Sequence, residues 1–303
     1  MLDRASFSGD KELLDLITRD FVPVALDVWY HQRREDAEGD FYRKIVFQRE
    51  GSSPEKTTQG FYIATAAGEL IHGWNNRDPD KVKRLLCEAR KQHRSKEPEP
   101  IDPADDPRFN RAIPEGAAVV DVYSKVLEAD YSEPEDHWSR EFRRALGRDH
   151  LWILDQEIAD LEGGTLPQSL LLRIVRFHFI DNTRGEPPLW EPSEVKMLKV
   201  DARTAGVTVE LKGRVELASE DGGRGFRADV LGMVECRDGV LHRFDLVARG
   251  ECRGHGTYTA NSAPQGPFSL AIAFTLAAKD DPAALVPPQG ARDLADYLSP
   301  RNP

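Results

Sequence analysis

Cysteine is scarce in this chain, and the motifs missing around it exclude more than those present establish. The 303 residues include three cysteines, Cys87, Cys236 and Cys252. An odd, sparse set suits a reducing compartment and argues against a disulfide framework. No CxxC, HExxH or GxGxxG pattern occurs, so a redox dithiol, a zinc-protease helix and a dinucleotide fingerprint are not signalled. Long apolar runs are missing too. None approaches the ~18 residues that span a bilayer, so no membrane partner is expected. The opening Met1-Leu2-Asp3-Arg4-Ala5-Ser6 is not an apolar signal segment, and the sequence as it stands implies a cytoplasmic location. Positive charge is in deficit, with a formal net charge of −11. That is the wrong sign for general phosphate neutralisation, so nucleic acid is disfavoured as a partner.

What is present is an ordinary core-forming composition, 40% hydrophobic and 31% charged. On a prior of ~150 residues per domain, the length suggests about two domains. Leu13, Leu14, Leu16 and Ile17 lie at helical spacing behind Ser8 and Asp10, either of which suits an N-cap. Phe21–Leu26 reads as a buried strand and residues 36–47 as a second helix. Gly60–Ala64 and Leu70–Trp74 read as a hairpin turned at Ala67-Gly68. Asp78-Pro79 opens a helix with Val82, Leu85, Leu86 and Ala89 on one stripe. Five prolines between His93 and Pro114 mark a linker.

Beyond the linker, Ala117–Leu127 reads as a strand. Helices are expected around Trp138–Leu146, Leu151–Leu161 and Leu171–Ile174, with Asp136 and Asp149 as natural caps. Arg176–Ile180 reads as a short strand. The last 110 or so residues alternate apolar and polar, as in an antiparallel sheet with one buried face. A three-residue loop at Arg237-Asp238-Gly239 sets an expected register in which Phe244 covers Gly232 and Phe226 covers Gly250. Cys236 and Cys252 then lie at opposite ends of that hairpin, too far apart for a disulfide.

The order helix, Phe-Val-Pro-Val strand, helix, strand, glycine hairpin and Asp-Pro helix resembles the thioredoxin-like superfamily over residues 7–93. The sharpest likeness is Leu26-Asp27-Val28-Trp29, which is similar to the end of the strand leading into the redox motif. Laid on this chain, the two sulfurs fall near Arg33 and Asp36, within Tyr30-His31-Gln32-Arg33-Arg34-Glu35-Asp36, which holds none. The cis-proline position falls at Gln59 or Gly60. The resemblance therefore implies the fold and not dithiol exchange. Gln48–Gln59 is too short for the strand and helix the superfamily usually carries there. That leaves one edge of Phe21–Leu26 to be covered, for which the second domain is the expected partner.

The expected fold class is α+β. A degenerate thioredoxin-like α/β domain (1–95) and a proline-rich linker (96–114) precede a bent antiparallel β-sheet domain (115–303). That domain is a half-barrel or sandwich with helices packed on one side and a helical insertion at 136–175.

Three constellations are candidates for chemistry. His178, Asp181 and Arg184 form a His/Asp/Arg cluster suited to general-base work and carboxylate clamping. The competing account is an ordered connection whose polar groups satisfy backbone. Trp29, Tyr30 and His31, where the superfamily's redox motif falls, and Trp190 and Tyr258 are candidate ligand contacts. For the first group the favoured account is a solvated loop with Trp29 packed on the domain surface. Cys252, His255 and His242 are candidate metal ligands, although a site needs three or four converging groups and a core cysteine behaves as a small apolar residue. The leading functional expectation is a non-redox binding or scaffolding protein. One alternative is an enzyme using the His/Asp/Arg cluster in the second domain or an interdomain cleft; the other is transition-metal binding. The cofactor is unknown and oligomerisation stays open.

Overall fold

A computed structural model describes residues 10–76, 78–94, 106, 108–109, 111–127, 145–260, 263–264 and 266–303. The chain is mixed helix and strand and divides into two units, one within 6–110 and the other carrying Arg111–Pro303. The expected helix near Trp138, with the cap at Asp136, lies outside the described residues.

In the first unit, carboxylate caps set the helix starts. Asp10 accepts from the Leu13 N–H at 3.0 Å and opens α1 (Lys11–Asp20). Asp27 opens the short α2 (Val28–His31), and Asp36 opens α3 (Ala37–Val46). Asp78 caps α4 (Pro79–Gln92), with proline in the first turn, where a missing N–H costs nothing. Between α3 and α4 lies the hairpin β1 (Phe61–Ala64) and β2 (Leu70–Trp74). Leu13, Val82, Leu86 and Ala89 bury their side chains against Ile63 and Trp74 of the hairpin.

Phe21–Leu26 is not a strand. The segment pairs with no strand among the described residues, and Val22 and Val24 are 89% and 68% exposed. Pro23 removes a ladder donor from its middle, and Asp27 turns the chain into α2 by accepting the Trp29 N–H at 2.8 Å. The expectation that the second domain covers an open edge of this strand falls with the strand itself. Part of the expected linker is built into this unit. The Asp106 N–H donates to Asp36 at 2.7 Å, and Phe109 lies edge-on to Trp29.

The second unit is built on a seven-stranded antiparallel sheet of β3 (Ala118–Val126), β4 (Gly147–Ile153), β5 (Val195–Ala205), β6 (Thr208–Ala218), β7 (Gly225–Arg237), β8 (Val240–Arg253) and β9 (Phe268–Leu276). Its order is β4-β3-β9-β8-β7-β6-β5, open at both ends, so it is neither a closed barrel nor a two-sheet sandwich. The alternating inward residues of β6 to β9 are buried. They meet Ile158 and Leu161 of α5 (Asp155–Glu162) and Leu170 and Leu171 of α6 (Gln168–Arg173). These two helices thus cover one face of the sheet.

Two segments take a different structure from that expected. Leu151–Ile153 is strand, paired with Ala118–Val120, and the helix starts only at Asp155. Asp149 is therefore a strand residue and not a cap. Leu151 and Ile153 face the main core while Trp152 joins a second cluster with Phe177, Ala291 and Tyr297. Burial on both faces hides the strand period. Arg176–Ile180 is not a strand either. Its start, Ile174–His178, is a π-helical turn continuing α6, and every residue from Ile174 to Ile180 is buried.

The β7–β8 register is two residues from the expected one. The turn is the two-residue type I′ pair Asp238-Gly239, with φ of 53° and 69°. A bulge between Glu235 and Cys236 restores both buried rows to one face. Phe244 faces Val234, Phe226 faces Cys252, and Gly232 lies between Leu211 and Leu246. Neither glycine has the aromatic cover expected. At Gly250 the Arg227 carbonyl approaches so closely that a Cβ has no room.

Candidate functional site

The segment 173–190 runs from α6 across the core to the sheet's far end, anchored by buried arginines. Arg173 is fully buried and donates to Glu157 at 2.7 Å and to the carbonyls of Trp152, Tyr297 and Leu298. Arg176 pairs bidentately with Asp296 at 3.0 and 2.7 Å. Asp296 and Tyr297 belong to α7 (Leu294–Leu298), so these bonds tie the last helix to the turn that carries the candidate residues. Buried cations persist only when paired in this way.

His178 points into that anchor. Its Nε2 lies 3.0 Å from the Tyr297 hydroxyl and its Nδ1 lies 3.2 Å from Asp149. Burial, with Asp149 nearby, holds the Tyr297 hydroxyl well above its ordinary pKa. The His178 side chain is fully buried.

Asp181 and Arg184 face elsewhere, together. Asp181 accepts from the Thr183 N–H at 3.1 Å and its hydroxyl at 2.5 Å, and its second oxygen lies 2.7 Å from Arg184 Nη2. Arg184 Nε donates to the Thr259 carbonyl at 3.0 Å. Among the described residues, its buried Nη1 has no hydrogen-bond partner. Two loops close around this group, 181–190 and 254–259. Gly185 lies against the Tyr258 carbonyl and Gly256 against Pro188, so close that a side chain at either position would part the loops.

The loops leave an inner pocket of about 20 Å³ lined by Asp181, Arg184, Trp190, Arg224, Cys252 and His255, among others. It adjoins an outer hollow of about 450 Å³, sharing Gly254 and His255 with it; Arg253, Ala260, Pro264 and Pro267 also line the hollow. Trp190 is buried, donates its indole N–H to the Phe179 carbonyl at 2.8 Å and carries the Arg224 guanidinium 3.7 Å above its ring. Arg224 also donates to the Pro188 and Leu189 carbonyls. Cys252 is held far above the ordinary thiol pKa, first by burial and then by nearby Asp181.

Five residues singled out from sequence for three different roles thus meet at one pocket: Asp181, Arg184, Trp190, Cys252 and His255. His178 does not line it. Tyr258 stands 74% exposed beside it. His242 is the extra residue of the β8 bulge, near the other end of the strand from Cys252 and exposed, so the three expected metal ligands do not converge. Among the described residues no group of three His, Cys, Asp or Glu side chains is placed to hold a metal. In the first unit, Trp29 packs against Phe109 and beneath Arg33. His31 sets one ring nitrogen 2.9 Å from the Asp27 carbonyl and the other 3.0 Å from Glu38. Sequence reasoning missed Arg224. Its signal was the glycine-flanked position Gly222-Gly223-Arg224-Gly225, a backbone free to bring one cation to an aromatic ring.

No protein-family model, curated protein or solved structure matches the chain. Among the described residues, no helix is long and apolar enough to cross a membrane.

Proposed function

We propose that this is a non-redox binding protein whose second unit takes a small organic acid, with the acid group at Arg184 and the body in the outer hollow. The supporting observation is Arg184, a residue lining the inner pocket whose buried Nη1 has no hydrogen-bond partner among the described residues. An unsatisfied buried donor is costly, and a ligand oxygen relieves that cost. The pocket's charged lining is Arg184, Arg224 and Asp181; Asp181 lies 2.7 Å from Arg184, and Arg224 pairs with Glu194 at 3.2 Å behind the lining. The outer volume falls in the range of small-molecule sites.

The enzyme alternative has less support. His178 is engaged with Tyr297 and Asp149 away from the pocket, which leaves His255 as the imidazole on its rim. For the first unit, a thioredoxin-like relationship rests on the hairpin followed by the Asp-Pro helix, and the missing strand at 21–26 weighs against it.

Thermal melting of the full chain with a panel of small carboxylic acids and phosphate monoesters tests the reading. A ligand present at a hundred times its Kd should raise the Tm by roughly 5 °C or more. Arg184→Lys, which keeps the charge and removes the free donor, should abolish the shift. A shift of equal size in Arg184→Lys, or none with any acid, contradicts the proposal.

A further inference from the structure

We propose that the open edge of β5 pairs antiparallel with the β5 of a second copy of this chain, continuing the sheet through a two-fold axis at Val200. Among the described residues, β5 is bonded to β6 on one side only and is one of the sheet's two edge strands, β4 being the other. Its inward residues Leu198, Val200 and Ala202 pack against the core but stay half-exposed, because the buried face ends at this edge. On the other face stand Lys199, Asp201 and Arg203, all exposed. Neither Lys199 nor Asp201 has an ion-pair partner among the described residues.

Self-pairing about Val200 uses all eleven residues of the strand. It sets Lys199 opposite the partner's Asp201, and Asp201 opposite the partner's Lys199. Leu198 then meets the partner's Ala202, and Val200 meets its own copy, so the half-exposed row is covered from both sides. Lys196 faces the partner's Thr204, and no like charges stand opposite. Sliding by one two-residue step in either direction sets Lys199 against the partner's Lys199, or Asp201 against the partner's Asp201. Opposite charges across a strand pair stabilise it, and like charges destabilise it by similar amounts. The charge pattern therefore selects this register and this partner. Exposed lysines also serve elsewhere to keep edge strands unpaired, and that reading predicts a monomer.

Sedimentation velocity of the full chain over a concentration series decides between them. The parent should form a concentration-dependent dimer. Asp201→Lys turns two attractive pairs into two lysine–lysine oppositions and should raise the dimer Kd by at least about tenfold. Lys199→Asp combined with Asp201→Lys exchanges the charges, keeps them complementary, and should restore the dimer. Both positions are exposed, so each variant should fold, which circular dichroism is to check. In a Cys87→Ser background, Val200→Cys should cross-link between copies under mild oxidation, while Leu198→Cys, which faces the partner's Ala202, should not. A monomeric parent, a dimer insensitive to Asp201→Lys, or a folded charge-swapped protein that stays monomeric overturns the proposal.

Discussion

The three thiols differ in ways that follow from where each side chain sits. Cys87 is exposed on α4, whereas Cys236 and Cys252 are buried in the sheet core. Burial raises the Cys236 thiol to about 11 and holds Cys252 higher still. Only the thiolate attacks a disulfide reagent, so at pH 8 the folded protein should release one equivalent of chromophore quickly and the unfolded protein three. Fast reaction of more than one thiol in the native state would show that the core is not closed over Cys236 or Cys252. Arg184 is the opposite case. It is as buried as Cys236 and Cys252 and is charged, and its Nη1 has no hydrogen-bond partner among the described residues.

At the scale of elements, the β7–β8 hairpin makes the most exacting prediction. Phe244 is fully buried opposite Val234. Phe244→Ala should lower the unfolding free energy by ~3–5 kcal/mol, as for other buried aromatics. Denaturant titration measures this directly, and an unchanged midpoint would place that ring outside the core. How legible the elements were depended on burial. Capped helices such as Asp78-Pro79 and one-sided strands such as β6 were plain in the sequence, because a cap or a wet face imprints a period. The strand at Leu151–Ile153 and the turn at Ile174–His178 were misread because core closes on them from every side. Phe21–Leu26 was misread for the reverse reason: it has strand composition and finds no partner strand. The place of the turn at Asp238-Gly239 was legible, but it was read as a three-residue loop, and the bulge at Glu235/Cys236 leaves no mark that fixes the register.

For the whole molecule, the sequence supplied the parts of the pocket but not their assembly. Asp181, Arg184, Trp190, Cys252 and His255 were each noticed, in three separate roles. What brings them together is the loop closure at Gly185 and Gly256 and the path of β8 to β9, which no local pattern encodes. His178 faces α7 instead, 3.0 Å from the Tyr297 hydroxyl. The central claim is that the unpartnered Arg184 donor marks a binding pocket for an acid group. Trp190 is its natural reporter, since its indole lines that pocket beneath Arg224. The most direct measurement is an NMR titration of the tryptophan-labelled full chain, with the acid that stabilises it most. The account predicts a saturable shift of the Trp190 indole N–H signal in the parent and none in Arg184→Lys. A Trp190 signal that stays fixed while the acid binds, or that moves equally in both proteins, would contradict it.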